Sequence, residues 1–213
     1  MSNRTDPSAS WAFDGLSRLC SVSLGGSLLS GCAISNSLVL TCAHTTGRAF
    51  PLGGTATVVR HGSDDTEAVS ATAIFLSEVA DVRLLYTERP VVDLLYPVPW
   101  GELFSEARPG CRIWGYPEAS VRDTGSEVDA DCVVGSGSGG DRPLTVALRP
   151  RSTPLGDQTK PVHEQHRPLD DDELWMGISG APVGYGGRLV GMVRAVDGRF
   201  DALRMVTAPA LLR

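Results

Sequence analysis

Ser179 stands between glycines in Gly177-Ile178-Ser179-Gly180, with Ala181-Pro182 following. A serine hydroxyl at its ordinary pKa is a poor nucleophile and needs a neighbouring base to take its proton. The flanking glycines let the backbone turn sharply and let a second chain segment come close. Such a turn can hold the Ser179 hydroxyl outward. It can also aim the backbone N–H groups of Gly177 and Ser179 at one point, as an oxyanion hole requires. His44 ends the run Leu38-Val39-Leu40-Thr41-Cys42-Ala43-His44, and imidazole titrates near neutral pH, so it is the candidate base. Asp81 opens the apolar stretch Val82-Arg83-Leu84-Leu85 and is the candidate carboxylate that fixes the imidazole tautomer. Taken singly, each has a plain structural explanation. Gly-Ser turns are common, a histidine can close a strand within a core, and an aspartate can open a strand from a turn. Together the three residue types are a nucleophile, a base and a carboxylate, the set that acyl transfer through serine needs.

The chain order His, Asp, Ser and the three segments resemble the chymotrypsin-like serine endopeptidases. Thr41-Cys42-Ala43-His44 resembles the family's T-A-A-H, Asp81-Val82-Arg83-Leu84-Leu85 its D-[IV]-A-L-L, and Gly177 to Pro182 its G-x-S-G-[GA]-P. The resemblance runs from about Ser17 to Leu212. It implies an all-β fold of two antiparallel six-stranded barrels with the active cleft between them, and a short C-terminal helix start. It implies a catalytic triad of His44, Asp81 and Ser179, with Gly177 and Ser179 as oxyanion donors, acting on a protein or peptide substrate without cofactor or metal. Asp64, Asp65 and Asp93 also lie between His44 and Ser179. Of the four, only Asp81 leads into the apolar stretch that the family shows.

The resemblance also suggests where substrate binds. Six residues before the serine, at the base of the family's primary specificity pocket, stands Glu173, preceded by Asp170-Asp171-Asp172. A carboxylate there favours Arg or Lys in the substrate; a solvated acidic loop is the other explanation. Arg194, Ala195 and Val196 lie in a stretch similar to the strand that pairs with substrate backbone, and Arg194 is an unusual residue for that place.

The intervening sequence has to supply strands. Apolar and polar residues alternate in short runs separated by turn residues, the pattern of a barrel or sandwich. Strands are expected at Leu16–Leu24, Ser27–Ser35, Leu38–Cys42, Ala56–Arg60, Ala68–Leu76 and Val82–Leu85. A second set is expected at Cys111–Tyr116, Glu127–Val134, Leu144–Leu148, Pro182–Gly184, Leu189–Val196 and Ala202–Val206. Residues 1–15 read as a loose arm, 16–89 as the first barrel, 90–109 as a proline-bearing linker and 110–213 as the second barrel. A long polar stretch between Arg149 and Glu173 reads as a functional or mobile loop. Ala208-Pro209-Ala210-Leu211 reads as a helix start, and its brevity suggests a piece of a longer protein.

Composition excludes several classes. A chain of 213 residues with net charge −6 and 19 Lys+Arg lacks the basic footprint of a nucleic-acid binder. No apolar run approaches the roughly 18 residues of a membrane span, and Met1 to Pro7 has no signal-peptide core. Five cysteines, an odd number with no C-x-x-C pair, suit thiols in a reducing compartment, so a cytoplasmic location is expected; Cys32 and Cys42 could still face each other across a hairpin. The glycine run 135–140 fits G-x-G-x-x-G but leads into a strand rather than a helix, so it reads as a hairpin loop. His163 and His166 read as loop histidines, without a second ligand pair. Ile178 stands where zymogen-type members carry Asp, and no activation start precedes Leu16. Restraint by narrow specificity, a disordered oxyanion loop, or a regulatory sensor domain or partner is therefore expected, by analogy with bacterial multidomain effector proteases of antiviral defence. The competing reading is a catalytically silent peptide-binding module or adaptor on the same fold.

Overall fold

Side-chain alternation sets the architecture. In Leu19–Leu24 (β1), Cys20, Val22 and Leu24 are buried while Ser23 is exposed, the period of a strand with one face on a core. The computed structural model describes residues 12–44, 50–63, 67–93, 96–102, 105–116, 128–136, 141–147, 177–197 and 202–211.

After β1 come β2 (Ser27–Ser35), β3 (Leu38–Cys42), β4 (Thr55–Arg60), β5 (Val69–Ser77) and β6 (Val82–Thr87). They close into an antiparallel barrel in the order β1-β2-β3-β6-β5-β4. The second set is β7 (Arg108–Gly115), β8 (Val128–Val134), β9 (Asp141–Ala147), β10 (Pro182–Tyr185), β11 (Arg188–Asp197) and β12 (Ala202–Thr207). They close in the order β10-β11-β12-β9-β8-β7. Closure gives each strand a neighbour on both sides, which removes most open sheet edge; the β10–β11 pairing ends at Met192, short of the end of β11. A helical turn, α1 (Gly15–Arg18), precedes β1, and α2 (Ala208–Leu211) follows β12.

Each barrel has its own apolar interior. The first holds Cys20, Val22, Val39, Val58 and Leu85; the second holds Ile113, Val134, Ile178, Val183 and Met205. A further cluster spans the seam, where Leu40 and Val82 of the first barrel meet Met192 and Val206 of the second. Burying side chains of this size contributes roughly 1.5–3 kcal/mol each, so the barrels are fastened by the hydrophobic effect as well as by the chain that links them.

The expected strands are present, with shifted ends. Leu16 to Arg18 is helical rather than extended, because Asp14 accepts a hydrogen bond from the Leu16 N–H at 3.2 Å and caps a turn. The buried Arg18 then ties this turn down through the carbonyls of Ala33 (3.3 Å) and Tyr96 (2.9 Å). Residues 1–11 of the expected arm lie outside the described residues. Phe13 is buried edge-on against Trp114, and its N–H donates to the Gly187 carbonyl at 2.6 Å. β7 begins at Arg108, earlier than expected, with a bulge before Cys111. All five cysteines are buried free thiols. Cys32 lies opposite Leu40, not Cys42. Burial pushes the thiols up from their ordinary 9.0, Cys20 to about 12 and Cys32, Cys42 and Cys132 further still. Among the described residues no helix is long and apolar enough to cross a membrane.

Candidate active site

His44 and Asp81 are neighbours because β3 and β6 are neighbours. Cys42 at the end of β3 pairs with Val82 at the start of β6, so the residues just beyond those ends emerge side by side. Asp81 sits in the turn between β5 and β6, at φ 53°. Aspartate is one of the few non-glycine residues that visits this left-handed region readily. The turn directs its carboxylate back over the end of β3. Oδ1 accepts the N–H of Ala43 (3.1 Å) and of His44 (2.8 Å), and Oδ2 lies 2.6 Å from His44 Nδ1. Three donors on one carboxylate hold the imidazole in a single orientation. With the Nδ1 proton directed at Asp81, the Nε2 lone pair faces Ser179, whose Oγ is 3.0 Å away.

The serine turn is shaped by its glycines. Gly177 has φ 87° and Gly180 φ 91°, both in the region where a side chain is strained. The Ala181 N–H closes the turn on the Ile178 carbonyl at 2.9 Å. Ile178, fully buried, anchors it in the second barrel. The Gly180 N–H donates to the Val193 carbonyl at 2.9 Å and the Val193 N–H to the Ala181 carbonyl at 2.8 Å, which ties the turn to β11.

The first barrel grips the same turn through Ser30 of β2, which is fully buried. Its N–H donates to the Ser179 carbonyl at 3.0 Å. Its hydroxyl donates to the Gly177 carbonyl at 2.8 Å and accepts from the Tyr116 N–H at 2.9 Å. The Thr41 hydroxyl donates to the Ser30 carbonyl at 2.7 Å. Ser30 thus holds both candidate oxyanion residues by their carbonyls, a role that nothing in its local sequence advertises.

Two arginines flank Asp81. Arg83, buried, donates through Nη2 to the carbonyls of Ala43 (2.7 Å) and Phe50 (3.0 Å) and lies 4.7 Å over the Phe50 ring. It thereby braces the backbone just before His44. Its Nε and Nη1 have no hydrogen-bond partner among the described residues, and burial lowers its pKa against the opposing pull of Cys42 and Asp81. Arg194 belongs to β11, and its Nε lies 3.9 Å from Asp81 Oδ2.

His44, Asp81 and Ser179 are therefore together, with Gly177 in the same turn and Arg194 beside the carboxylate. Asp93 is exposed and takes no part; Asp64 and Asp65 lie outside the described residues. So do Glu173, His163, His166 and the long polar stretch. Ala195 and Val196 lie on β11, but their side chains are outside the described set.

No family model matches the chain, and no curated protein does. Solved structures do. The Rv3671c protease of M. tuberculosis, in its inactive form, is 15% identical over 97% of this chain and 93% of its own, with a TM-score of 0.61. A Glu endopeptidase in complex with MPD is 15% identical over 94% and 89%, with a TM-score of 0.64. A human pathogenic astrovirus serine protease is 14% identical over 93% and 94%, with a TM-score of 0.57. The chain has the chymotrypsin-like two-barrel fold. At these identities the likeness speaks to the fold, and the case for chemistry rests on the geometry above.

Proposed function

We propose that the chain is a serine endopeptidase that cleaves protein or peptide substrates through an acyl-enzyme. The observation that carries this is the unbroken line from Asp81 Oδ2 to His44 Nδ1 at 2.6 Å and from His44 Nε2 to Ser179 Oγ at 3.0 Å. In this reading His44 Nε2 takes the Ser179 proton as Oγ attacks the scissile carbonyl, then gives it to the leaving amine. Asp81 keeps Nδ1 protonated and offsets the imidazolium charge. The N–H groups of Gly177 and Ser179 receive the oxyanion, a contribution of roughly 3–4 kcal/mol per donor. Water then enters on the same base and releases the acid. Within this reading residues 16–89 carry the base and carboxylate, 90–109 link the barrels, and 110–213 carry the nucleophile. Glu173 would select basic residues at the scissile bond, and β11 would pair with substrate backbone. The five buried thiols suit a reducing, intracellular setting.

The test is covalent labelling with a fluorophosphonate probe, together with mapping of new termini in a denatured proteome. Wild type should label at Ser179 and generate termini. Ser179→Ala and His44→Ala should lose both, with turnover down about 10⁶-fold. A folded wild-type protein that neither labels nor cuts would leave a peptide-binding module as the better account.

A further inference from the structure

We infer that Arg83 is a positioning residue, kept for the orientation of His44 rather than for stability. For its effect on turnover the inference rests on the proteolytic reading above. Its basis is one peptide unit. The peptide between Ala43 and His44 is gripped at both ends. Its N–H, that of His44, donates to Asp81 Oδ1 at 2.8 Å, and its carbonyl, that of Ala43, accepts from Arg83 Nη2 at 2.7 Å. A peptide unit is planar, so two fixed ends fix the tilt of the plane. That tilt sets the direction in which the His44 side chain leaves the backbone. Asp81 precedes β6 and Arg83 is its second residue, so one stretch of chain holds both ends. The same Nη2 donates to the Phe50 carbonyl at 3.0 Å. Ala43 and Phe50 flank the segment that carries His44, and residues 45–49 within it lie outside the described residues. One guanidinium thus clasps the two described sides of that segment.

A purely structural role accounts poorly for a cation in this place. Arg83 is 1% exposed. Its Nε and Nη1 have no hydrogen-bond partner among the described residues, and buried donors left unmatched are destabilising. Burial lowers its pKa and outweighs the opposite pull of Cys42 and Asp81, so folding disfavours the charge. Replacing a buried charge by an apolar side chain of similar volume is often neutral or stabilising. Methionine also packs well on an aromatic ring, and the Phe50 ring lies 4.7 Å from the guanidinium carbon. What an apolar chain cannot do is hold the Ala43 carbonyl.

Released at that end, the peptide can rock about its remaining bond to Asp81. His44 Nε2 then drifts from its place 3.0 Å from Ser179 Oγ. A misplacement of 1 Å costs about 100-fold in rate, and with the Asp81 bonds in place the drift is smaller.

The experiment compares Arg83→Met and Arg83→Lys with wild type in urea unfolding, phosphonate labelling and steady-state kinetics on a peptide drawn from the mapped termini. It adds proton NMR of the Nδ1 proton that lies in the 2.6 Å contact with Asp81, since a short hydrogen bond moves such a resonance far downfield. Arg83→Met should keep the urea midpoint of wild type or exceed it. It should label and turn over about tenfold more slowly, with KM unchanged and the downfield resonance broadened. Arg83→Lys keeps a compact charged donor and should recover part of the rate. A midpoint that falls together with the rate in Arg83→Met would make Arg83 structural and overturn the inference. So would a folded Arg83→Met with the rate and resonance of wild type, or an Arg83→Lys no faster than Arg83→Met. The resonance keeps the two readings apart. A wild type that never labels, with a downfield signal lost in Arg83→Met, sinks proteolysis and leaves the clasp standing; a labelled wild type whose signal Arg83→Met leaves unmoved sinks the clasp alone.

Discussion

Replacing Gly180 with alanine tests how the nucleophile is held. A Cβ at that position would lie 2.0 Å from the Ser30 carbonyl oxygen and 2.7 Å from Thr41 Oγ1, at φ +91°. Real Cβ contacts essentially never fall under 3.0 Å, so the serine turn and β2 must part by about 1 Å. A separation of that size breaks the Ser30 to Ser179 bond of 3.0 Å and strains the Gly180 to Val193 bond of 2.9 Å, each about 1 kcal/mol. The left-handed backbone adds about 1–2 kcal/mol. The loss should therefore reach about 3–4 kcal/mol. Gly26→Ala is the control, with a matching φ of +94° and nothing within 4 Å; it should lose only the backbone part, about 1–2 kcal/mol. Urea unfolding followed by tryptophan fluorescence gives both values. Phosphonate labelling gives the placement of Ser179, which should slow about 100-fold for a shift of 1 Å in Gly180→Ala and stay unchanged in Gly26→Ala. Equal destabilisation by the two substitutions, with Ser179 reactivity intact, would refute the close approach on which the argument rests.

Ser30→Ala removes the hydroxyl between the Gly177 carbonyl and the Tyr116 N–H. It should lower kcat about tenfold through loosened oxyanion donors with KM nearly unchanged, and cost about 1–3 kcal/mol for the buried N–H left unmatched; steady-state kinetics and urea midpoints check both. The buried thiols give a pH prediction. Their folded pKa values are raised, so stability is level below the ordinary 9.0 and falls as pH rises toward about 12 for Cys20, because only the unfolded chain releases those protons. Guanidinium midpoints at pH 8 and 10 should show the drop, with a smaller one in Cys20→Ala. Thiol titration should find little reaction until denaturant is added, and immediate reaction of the native protein would contradict the burial.

That His44, Asp81 and Ser179 would meet was legible because each carries its own local signature: a strand ending in His44, an aspartate opening an apolar run, a serine flanked by glycines. The strands were legible through alternation and through turns such as Gly25-Gly26 and Gly186-Gly187, both at positive φ. What escaped was decided by contacts distant in sequence. Ser30 reads as one more polar strand residue, and its partners are Gly177, Ser179 and Tyr116. Arg83 looks out of place in an apolar run until Phe50 and the Ala43 carbonyl are seen beside it. At Leu16 the apolar pattern suggested strand, and the Asp14 cap outweighed it. The expected free thiols are present, and register sets Cys32 opposite Leu40 rather than Cys42.

The grip of Ser30 on the serine turn has a consequence for assembly. His44 and Asp81 come together wholly within the first sheet system, yet Ser179 is seated only when a buried strand of that system docks against a loop of the other. On the proposed function, a reactive Ser179 would report a logical conjunction of two folding events. On that same proposal, a chain divided between Thr87 and Arg108 would yield two inert halves, with labelling of Ser179 returning only at concentrations where they find each other.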